Sequence, residues 1–283
     1  MSLPTVSSIA ETRAAVAALR RDGRSIALVP TMGALHEGHL SLVARARETA
    51  DAVVTSVFVN PLQFGPAEDF DRYPRPFDTD RAALESAGVD LLFAPAVTDM
   101  YPAGGTQITV AAGPVGDLLE GRVRPGHFDG MLTVVAKLLH IVGPDAVLFG
   151  QKDAQQVFLV RRMVADLNEP VRVEVVPTVR EPDGLARSSR NRYLSVDERA
   201  LALALPAALR AATTAADLGP APMLAAARAE FDGRDGVVPD YLVAVDPATF
   251  QPVDDRYRGP ALVLVAARVG GTRLIDNALV ALR

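Results

Sequence analysis

Two of the four histidines in the chain, His36 and His39, lie three residues apart in one glycine-containing turn. The apolar run 25–29 before this turn is typical of a buried strand, and the apolar spacing of residues 40–47 after it is typical of a helix. The turn therefore stands at the carboxyl end of a strand, where α/β proteins bind ligands. The N–H groups and dipole of a helix N-terminus favour phosphate and disfavour imidazolium. We expect both rings to stay neutral and to donate hydrogen bonds to developing negative charge.

A zinc site is one alternative for this histidine pair. Zinc helices of the HExxH type space their histidines by four residues, so that both rings lie on one face. Here the spacing is three residues and Gly38 lies between the histidines, which argues against zinc. A lone histidine is usually structural, but two of four in one turn favour a functional site.

A second polar cluster follows the apolar run 146–149, which predicts another buried strand. Gly150 permits close approach to the backbone, Lys152 offers a positive charge for phosphate, and Asp153 can accept hydrogen bonds from ribose hydroxyls. The alternative is an ordinary strand–helix turn that Asp153 caps.

A third cluster, residues 187–192, holds two hydroxyls, an amide and three guanidinium groups, which suits an anion clamp. Its place at a predicted domain junction favours a lid, whereas a solvated basic loop is the alternative. No P-loop and no GxGxxG motif is present, so an ATP site would be built from strand ends and these basic groups.

A fourth cluster ends the apolar run 52–59, where Asn60 and Gln63 flank a proline turn. Their amide groups suit the hydroxyl or carbonyl groups of a small polar substrate. A plain Asn-Pro turn is the alternative for this segment.

Composition limits the class of protein. The chain is 49% hydrophobic and 22% charged, so it can bury a core, and its net charge of −5 argues against a nucleic-acid partner. The absence of cysteine excludes disulfides and fits a reducing compartment. The sequence shows no signal-peptide pattern and no apolar run of membrane-spanning length. We expect a cytoplasmic protein with no membrane association.

Predicted strands and helices alternate along the first part of the chain. Strands are expected at 25–29, 52–59, 91–94, 146–149 and 171–176, and helices at 12–21, 40–49, 78–87, 130–142 and 153–166. This order predicts an α/β fold with a doubly wound, mostly parallel sheet.

The pattern changes near residue 178. A capping box from Ser195 to Glu198 begins a helix, and Ala-rich helices lie on either side of Gly219. Strands are then expected at 241–245, 261–267 and 272–277. We therefore expect a domain over residues 1–178 and a smaller α+β domain with a mostly antiparallel sheet over residues 179–283.

Four motifs together resemble the pantoate–β-alanine ligase (pantothenate synthetase) family. They lie at Val29–His39, Phe58–Phe64, Arg124–Gln156 and Asp183–Leu194. Their order and spacing, and the ending Leu264–Asn277, also look like those of the family, so the resemblance covers nearly the whole chain. The HxGH element alone is less specific, because other nucleotidyltransferases and class I aminoacyl-tRNA synthetases share it.

The resemblance implies a Rossmann-like domain of the HxGH nucleotidyltransferase superfamily and a small lid domain. It implies that ATP activates (R)-pantoate as pantoyl adenylate with release of pyrophosphate. The amine of β-alanine then displaces AMP and gives pantothenate. Positioning and charge stabilisation dominate such chemistry. Mg²⁺ on the phosphates and a homodimer are implied as well.

The resemblance also implies roles for particular residues. The catalytic residues would be His39 as the proton donor, His36, Lys152 and Arg190. The ATP contacts would be Met32, Gly33, His36, Gly38, His39, Gly150, Gln151, Lys152, Asp153, Val179, Arg187, Ser188, Ser189 and Arg190. The contacts to pantoate or β-alanine would be Met32, Asn60, Gln63 and Gln156. Asp80 would help to hold Mg²⁺.

The chain departs from the usual family pattern at three positions. Gln151 stands where Glu is common, Arg187 where Met or Leu is common, and Thr79 where a second acid is common. The last of these leaves the metal contact to Asp80. The alternatives are an adenylyltransferase with another substrate and a catalytically dead nucleotide-binding module. The dead module is disfavoured because His36, His39, Lys152, Ser188, Ser189 and Arg190 are all present.

Overall fold

The computed structural model describes residues 2–65, 70–102 and 105–283. The chain forms two compact units, one made of Met1–Gly150 with Leu159–Val176 and the other of Gln151–Phe158 with Pro177–Arg283. The main division thus falls close to residue 178. The segment 151–158, however, groups with the second unit, because Asn277 binds the backbone at Gln151 and Phe250 packs on Phe158. The sequence pattern places this segment in the first domain.

The first unit is built on a sheet of six parallel strands. The strands are β1 Thr5–Val6, β2 Ile26–Thr31, β3 Ala52–Val57, β4 Leu91–Phe93, β5 Ala146–Gly150 and β6 Arg172–Val176. Residues 26–29 and 146–148 have no exposed surface, as expected for strands covered on both faces. The predicted α/β fold with a doubly wound sheet is confirmed.

The helices of this part of the chain are α1 Ile9–Arg21, α2 Glu37–Thr49, α3 Phe77–Ser86, α4 Val97–Met100, α5 Glu120–Val123, α6 His127–Val142 and α7 Ala154–Asp166. Local sequence explains their ends: Ser8 and Glu11 form a capping box at the start of α1, and Gly143 ends α6 in a left-handed conformation. The helix α6 is apolar on nearly every side because it is buried along nearly its whole length. The short elements β1, α4 and α5 have too little periodicity to be predicted from the sequence.

The strand order is β1-β4-β3-β2-β5-β6. From β2 the chain adds β3 and β4 on one side, and it later adds β5 and β6 on the other. The order therefore reverses between β2 and β5, and the carboxyl ends of these two strands form the topological switch point. The histidine turn leaves β2 and Gly150 ends β5, so two of the predicted clusters begin at this point.

The second unit packs helices on an antiparallel sheet. Its helices are α8 Val196–Ala202, α9 Ala204–Ala215 and α10 Pro220–Ala229, and its strands, in the spatial order β7-β8-β9, are β7 Val237–Val245, β8 Gly259–Val269 and β9 Thr272–Leu282. Alanines of α9 lie in the core with valines of β8, and small side chains allow this close contact. The predicted smaller α+β unit is confirmed. Its strands extend beyond the predicted bounds because the ladder between β8 and β9 continues from the pair Gly259 and Leu282 to the pair Val269 and Thr272.

Within the described residues one helical stretch, Val196–Leu218, has the length and composition of a membrane span. Half of its most apolar window is buried inside the protein. Leu205, Ala208 and Ala212 on this stretch belong to the core of the second unit. The core accounts for the apolar composition of this stretch.

Candidate active site

The histidine turn is a strained loop between β2 and α2. Gly33 and Ala34 have φ of +81° and +51°, which for Ala34 is a conformation that a side chain disfavours. The Thr31 hydroxyl donates to the carbonyl of Ser56 on β3 at 2.8 Å and accepts from the Gly33 N–H at 3.2 Å. The strand end thus holds the beginning of the turn.

Both histidines point their Nδ1 atoms at backbone N–H groups. His36 caps α2, with its Nδ1 accepting from the Gly38 N–H at 3.1 Å, and His39 Nδ1 accepts from the His36 N–H at 3.3 Å. The ring centroids are 4.2 Å apart. An Nδ1 that accepts has no proton, so each neutral ring carries its proton on Nε2. The pair is therefore set up as two Nε2–H donors.

Gly38 is required by the position of the His36 ring. A Cβ at residue 38 would lie 2.8 Å from Cε1 of His36, closer than a real Cβ contact. A side chain there would push the ring away from the helix N-terminus. The spacing His-x-Gly-His thus has a steric reason in this structure.

Asp80, on α3, clamps the histidine turn. Its Oδ2 accepts the Ala34 N–H and its Oδ1 accepts the Leu35 N–H, both at 2.8 Å. The side chain is buried, with 2% of the residue exposed. Asp80 therefore supports the turn that carries the histidines. Its predicted contact with Mg²⁺ stays a prediction.

Gln63, in a short 3-10 helix Pro61–Gln63 after β3, contacts Met32 of the histidine turn. Its Nε2 donates to Met32 Sδ at 3.0 Å, and its Oε1 accepts from Asn60 Nδ2 at 3.1 Å. The structure thus brings together three of the residues predicted for pantoate. Gln156, the fourth, is half-buried on α7 in the second unit.

Asn60 is saturated with hydrogen bonds inside the protein. Its Nδ2 donates to Gln63 and to the Gly130 carbonyl at 3.0 Å, and its Oδ1 accepts from the Leu62 N–H and the Tyr101 hydroxyl. These bonds use both amide protons and both lone pairs. Asn60 therefore stands behind Gln63 as its support, and a direct substrate contact of Asn60 stays a prediction.

Arg124 and His127 hold the main chain of Gln63, a role that no local pattern in the sequence signals. His127 Nδ1 lies 2.9 Å from the Gln63 carbonyl oxygen, and Arg124 donates to the same oxygen at 3.3 Å. Arg124 Nη1 lies 3.1 Å from His127 Nε2, and Arg can only donate. His127 is therefore the Nδ1–H tautomer and donates to Gln63.

In the second unit, Asn277 on β9 fixes the segment that follows β5. Its Nδ2 donates to the carbonyls of Gln151 and Lys152 at 2.9 and 3.0 Å, and its Oδ1 accepts from Gln151 Nε2 at 3.1 Å. Gln151, which departs from the family pattern, thus donates the side-chain N–H that Asn277 Oδ1 accepts. Asp153 is exposed, and its Oδ1 lies 3.9 Å from Lys152 Nζ.

The Ser/Arg segment of the second unit folds around a 3-10 helix, Ser189–Tyr193. Ser188 caps it by accepting the Arg190 N–H at 3.2 Å, and the Arg187 N–H donates to the Val179 carbonyl at 2.9 Å. A small cavity is lined by Lys152, Ser188 and Asn191 together with Asp276. Two predicted phosphate contacts, Lys152 and Ser188, therefore share one cavity.

A doubly wound parallel sheet with a histidine-bearing helix N-terminus at its switch point is the architecture of a nucleotide-binding α/β enzyme of the HxGH type. Three comparisons specify the family. The sequence model of the family described as pantoate-beta-alanine ligase matches residues 4–279. A pantothenate synthetase from Leifsonia xyli subsp. xyli is 60% identical over 252 residues, which is 89% of this chain and 88% of that protein.

Two solved structures of the same family are also similar to this chain. The structure of pantothenate synthetase from Thermus thermophilus has a TM-score of 0.90 and 52% identity, and covers 98% of this chain and 99% of that chain. A pantoate-beta-alanine ligase from Francisella tularensis, solved in complex with beta-gamma ATP and beta-alanine, has a TM-score of 0.81, 34% identity and 98% coverage of both chains. The chain belongs to the pantoate-beta-alanine ligase family. It is therefore an enzyme, a ligase, and the resemblance found in the sequence is confirmed.

Proposed function

We propose that this ligase uses ATP to activate (R)-pantoate as pantoyl adenylate and then transfers the pantoyl group to β-alanine. In the first step a carboxylate oxygen of pantoate attacks the α-phosphorus, and pyrophosphate leaves. In the second step the amine of β-alanine attacks the acyl carbon, AMP leaves, and the amine loses a proton. The products are pantothenate, AMP and pyrophosphate. The main support is the pair of Nε2–H imidazoles at the N-terminus of α2.

The histidine pair suits the first step because negative charge moves onto phosphate oxygens there. His36 and His39 are proposed to donate hydrogen bonds to these oxygens, with His39 as the proton donor to the leaving group. Met32, Gly33 and Gly38 contribute the ATP-facing backbone of the same turn. Donors that are already oriented need no reorganisation during the reaction. The bonds to His36 Nδ1 and His39 Nδ1 supply that orientation.

Pantoate is assigned to Gln63 and Gln156, with Met32 beside Gln63. The supports for Gln63 are its bonds to Asn60 and Met32, which hold the carboxamide in one orientation. A carboxamide offers both a donor and an acceptor, as a hydroxy acid requires. Asn60 enters this proposal as the support of Gln63.

The remaining ATP contacts are assigned to two segments. Gly150, Gln151, Lys152 and Asp153 would bind ribose and the α-phosphate, with Lys152 as the positive charge. Val179 would contact adenine, and Arg187, Ser188, Ser189 and Arg190 would contact the β- and γ-phosphates. Lys152 and Ser188 line one small cavity of the second unit, so the two side chains of this assignment lie near each other.

Magnesium is proposed to enter as part of the MgATP substrate. Among the residues that the structure describes, no three acidic, histidine or cysteine side chains group into a metal cage. Mg²⁺ in such sites is held mainly by substrate phosphates and water. When bound, it neutralises charge on the triphosphate. The bonds of Asp80 to Ala34 and Leu35 favour a structural role for that carboxylate.

We also propose the compartment, the oligomeric state and the partners of the enzyme. We assign it to the cytoplasm, as a homodimer without nucleic-acid or membrane partners. The net charge of −5 supports the absence of a nucleic-acid footprint, and the lack of cysteine fits a reducing compartment. The homodimer is carried over from the family.

Exchange of labelled pyrophosphate into ATP tests the adenylate route. Exchange is expected with pantoate present and β-alanine absent, because the first step is reversible without the amine. A dead binding module would show no exchange with any acid, and an adenylyltransferase for another acid would show none with pantoate. Exchange that strictly requires β-alanine would overturn the two-step route.

A further inference from the structure

Three buried side chains form a chain of hydrogen bonds that ends at the histidine turn. The Tyr101 hydroxyl donates to Asn60 Oδ1 at 2.8 Å, Asn60 Nδ2 donates to Gln63 Oε1 at 3.1 Å, and Gln63 Nε2 donates to Met32 Sδ at 3.0 Å. Tyr101, Asn60 and Gln63 are 3%, 1% and 8% exposed. The chain connects the buried Tyr101 hydroxyl to Met32 through two carboxamides.

The backbone fixes the orientation of the Asn60 carboxamide. The Gly130 carbonyl requires a donor and faces Nδ2 at 3.0 Å, whereas the Leu62 N–H requires an acceptor and faces Oδ1 at 3.3 Å. A flipped carboxamide would set its oxygen against the Gly130 carbonyl and its NH₂ group against the Leu62 N–H. The Gly130 carbonyl reaches Asn60 because α6 approaches the turn at Leu62 closely. A Cβ at residue 130 would lie only 2.0 Å from the Leu62 oxygen.

The orientation of Asn60 in turn decides which end of Gln63 faces Met32. Since Asn60 presents a donor, Gln63 must turn its oxygen towards Asn60 and its Nε2 towards Met32. A free carboxamide would populate both orientations, and only one of them offers a given donor and acceptor pattern to a ligand. Residues behind Gln63 therefore decide which donor and acceptor groups its carboxamide presents to a ligand.

We propose that Tyr101 is a positioning residue that holds the Asn60 carboxamide in place, and through it the Gln63 carboxamide that binds pantoate. This inference rests on the proposed function, in which Gln63 binds pantoate. The hydroxyl completes the acceptor capacity of Asn60 Oδ1, and without it a buried lone pair loses its partner. Unsatisfied buried polar groups are costly, and Asn60 would relax to reduce that cost, taking Gln63 with it.

The contacts of the Tyr101 ring allow its hydroxyl to be tested alone. The ring centroid lies 6.1 Å from that of Phe58 and 5.6 Å from Lys137 Nζ, and neither contact involves the hydroxyl. Burial also raises the pKa of Tyr101 above its usual value, so the hydroxyl keeps its proton at neutral pH. Tyr101→Phe therefore removes one hydrogen bond and keeps the packing.

The experiment is steady-state kinetics of Tyr101→Phe with each substrate varied in turn. We expect KM for pantoate to rise about tenfold, the effect of losing one buried hydrogen bond, and KM for ATP to stay within about twofold. Tyr257→Phe is the matched control, since its hydroxyl donates to the Pro260 carbonyl at 2.9 Å in the second unit. We expect both KM values of that control to be unchanged.

A second variant and a binding measurement keep the test decisive. Asn60→Asp keeps the shape of the side chain but has no N–H for Gln63. It should raise KM for pantoate at least as much as Tyr101→Phe does. Calorimetry should show weaker pantoate binding by the same variant. Combining it with Tyr101→Phe should add little, because both changes act through one path. If Tyr101→Phe fails to fold by circular dichroism, Asn60→Asp tests the same path, and an unchanged KM for pantoate in that variant would overturn the positioning role.

Unchanged KM for pantoate in Tyr101→Phe, or an equal rise for pantoate and ATP, would overturn the positioning role. Failure of the proposed function has a different signature. It would appear in the unaltered chain as a lack of pantoate-dependent pyrophosphate exchange, and it would remove this inference with it.

Discussion

Asp80 holds Ala34 in a left-handed conformation, with its Oδ2 accepting the Ala34 N–H at 2.8 Å. The same oxygen closes over Gly33, where a Cβ would come within 2.9 Å of it. An acid on α3 therefore shapes the loop that delivers both histidines. Strain of this kind persists only where the surroundings enforce it.

Asp80→Asn should lower kcat by roughly tenfold or more, because a carboxamide N–H would face one of the two backbone N–H groups that the carboxylate now accepts. The half-saturating Mg²⁺ concentration should stay the same if Asp80 acts through the turn. Asp78→Asn, at an exposed position of the same helix, is the matched control and should leave kcat unchanged. A shift of the Mg²⁺ titration in Asp80→Asn would instead support the metal contact predicted from the sequence.

His39→Ala should lower turnover by about 10²-fold or more while the fold is kept, since it removes a donor aimed at transition-state charge. The exposed His140 on α6 offers the control His140→Ala, for which we expect normal turnover. Circular dichroism would verify folding of both variants. Normal turnover in folded His39→Ala would contradict the assigned role.

Lys152→Ala and Arg190→Ala should slow adenylate formation and spare the transfer to β-alanine, because both side chains are assigned to phosphates. Preformed pantoyl adenylate supplied with β-alanine bypasses the first step and should restore near-normal rates. Arg228→Ala, on the exposed last turn of α10, controls for loss of a surface charge. Equally slow reaction from the preformed adenylate would show that the two residues act elsewhere.

Asn277→Asp should raise KM for ATP by about tenfold, the scale of losing buried hydrogen bonds. The new carboxylate oxygen would face the carbonyls of Gln151 and Lys152, which now accept from Asn277 Nδ2. Repulsion there would move the Lys152 segment. Unchanged KM for ATP in Asn277→Asp would mean that this contact does not position Lys152.

Short-range patterns are enough to predict the main elements and the chemistry that they carry. Apolar runs predict the buried strands β2, β3 and β5, because burial on both faces leaves a continuous apolar segment in the sequence. The position of His36 and His39 between a strand and a helix is also local information. The motifs were specific enough for the family resemblance, which the comparisons confirmed.

The residues that support the site become visible only in the folded chain. Asp80 meets a loop 46 residues away, Asn60 meets Tyr101 from 41 residues away, and Asn277 meets Gln151 from 126 residues away. No local pattern encodes such pairs, because they depend on strand order and on the approach of α6 to the turn at Leu62. From its type and spacing alone Asn60 has the groups of a ligand-binding residue. Its four partners inside the protein, which exist only after folding, show that it also supports Gln63.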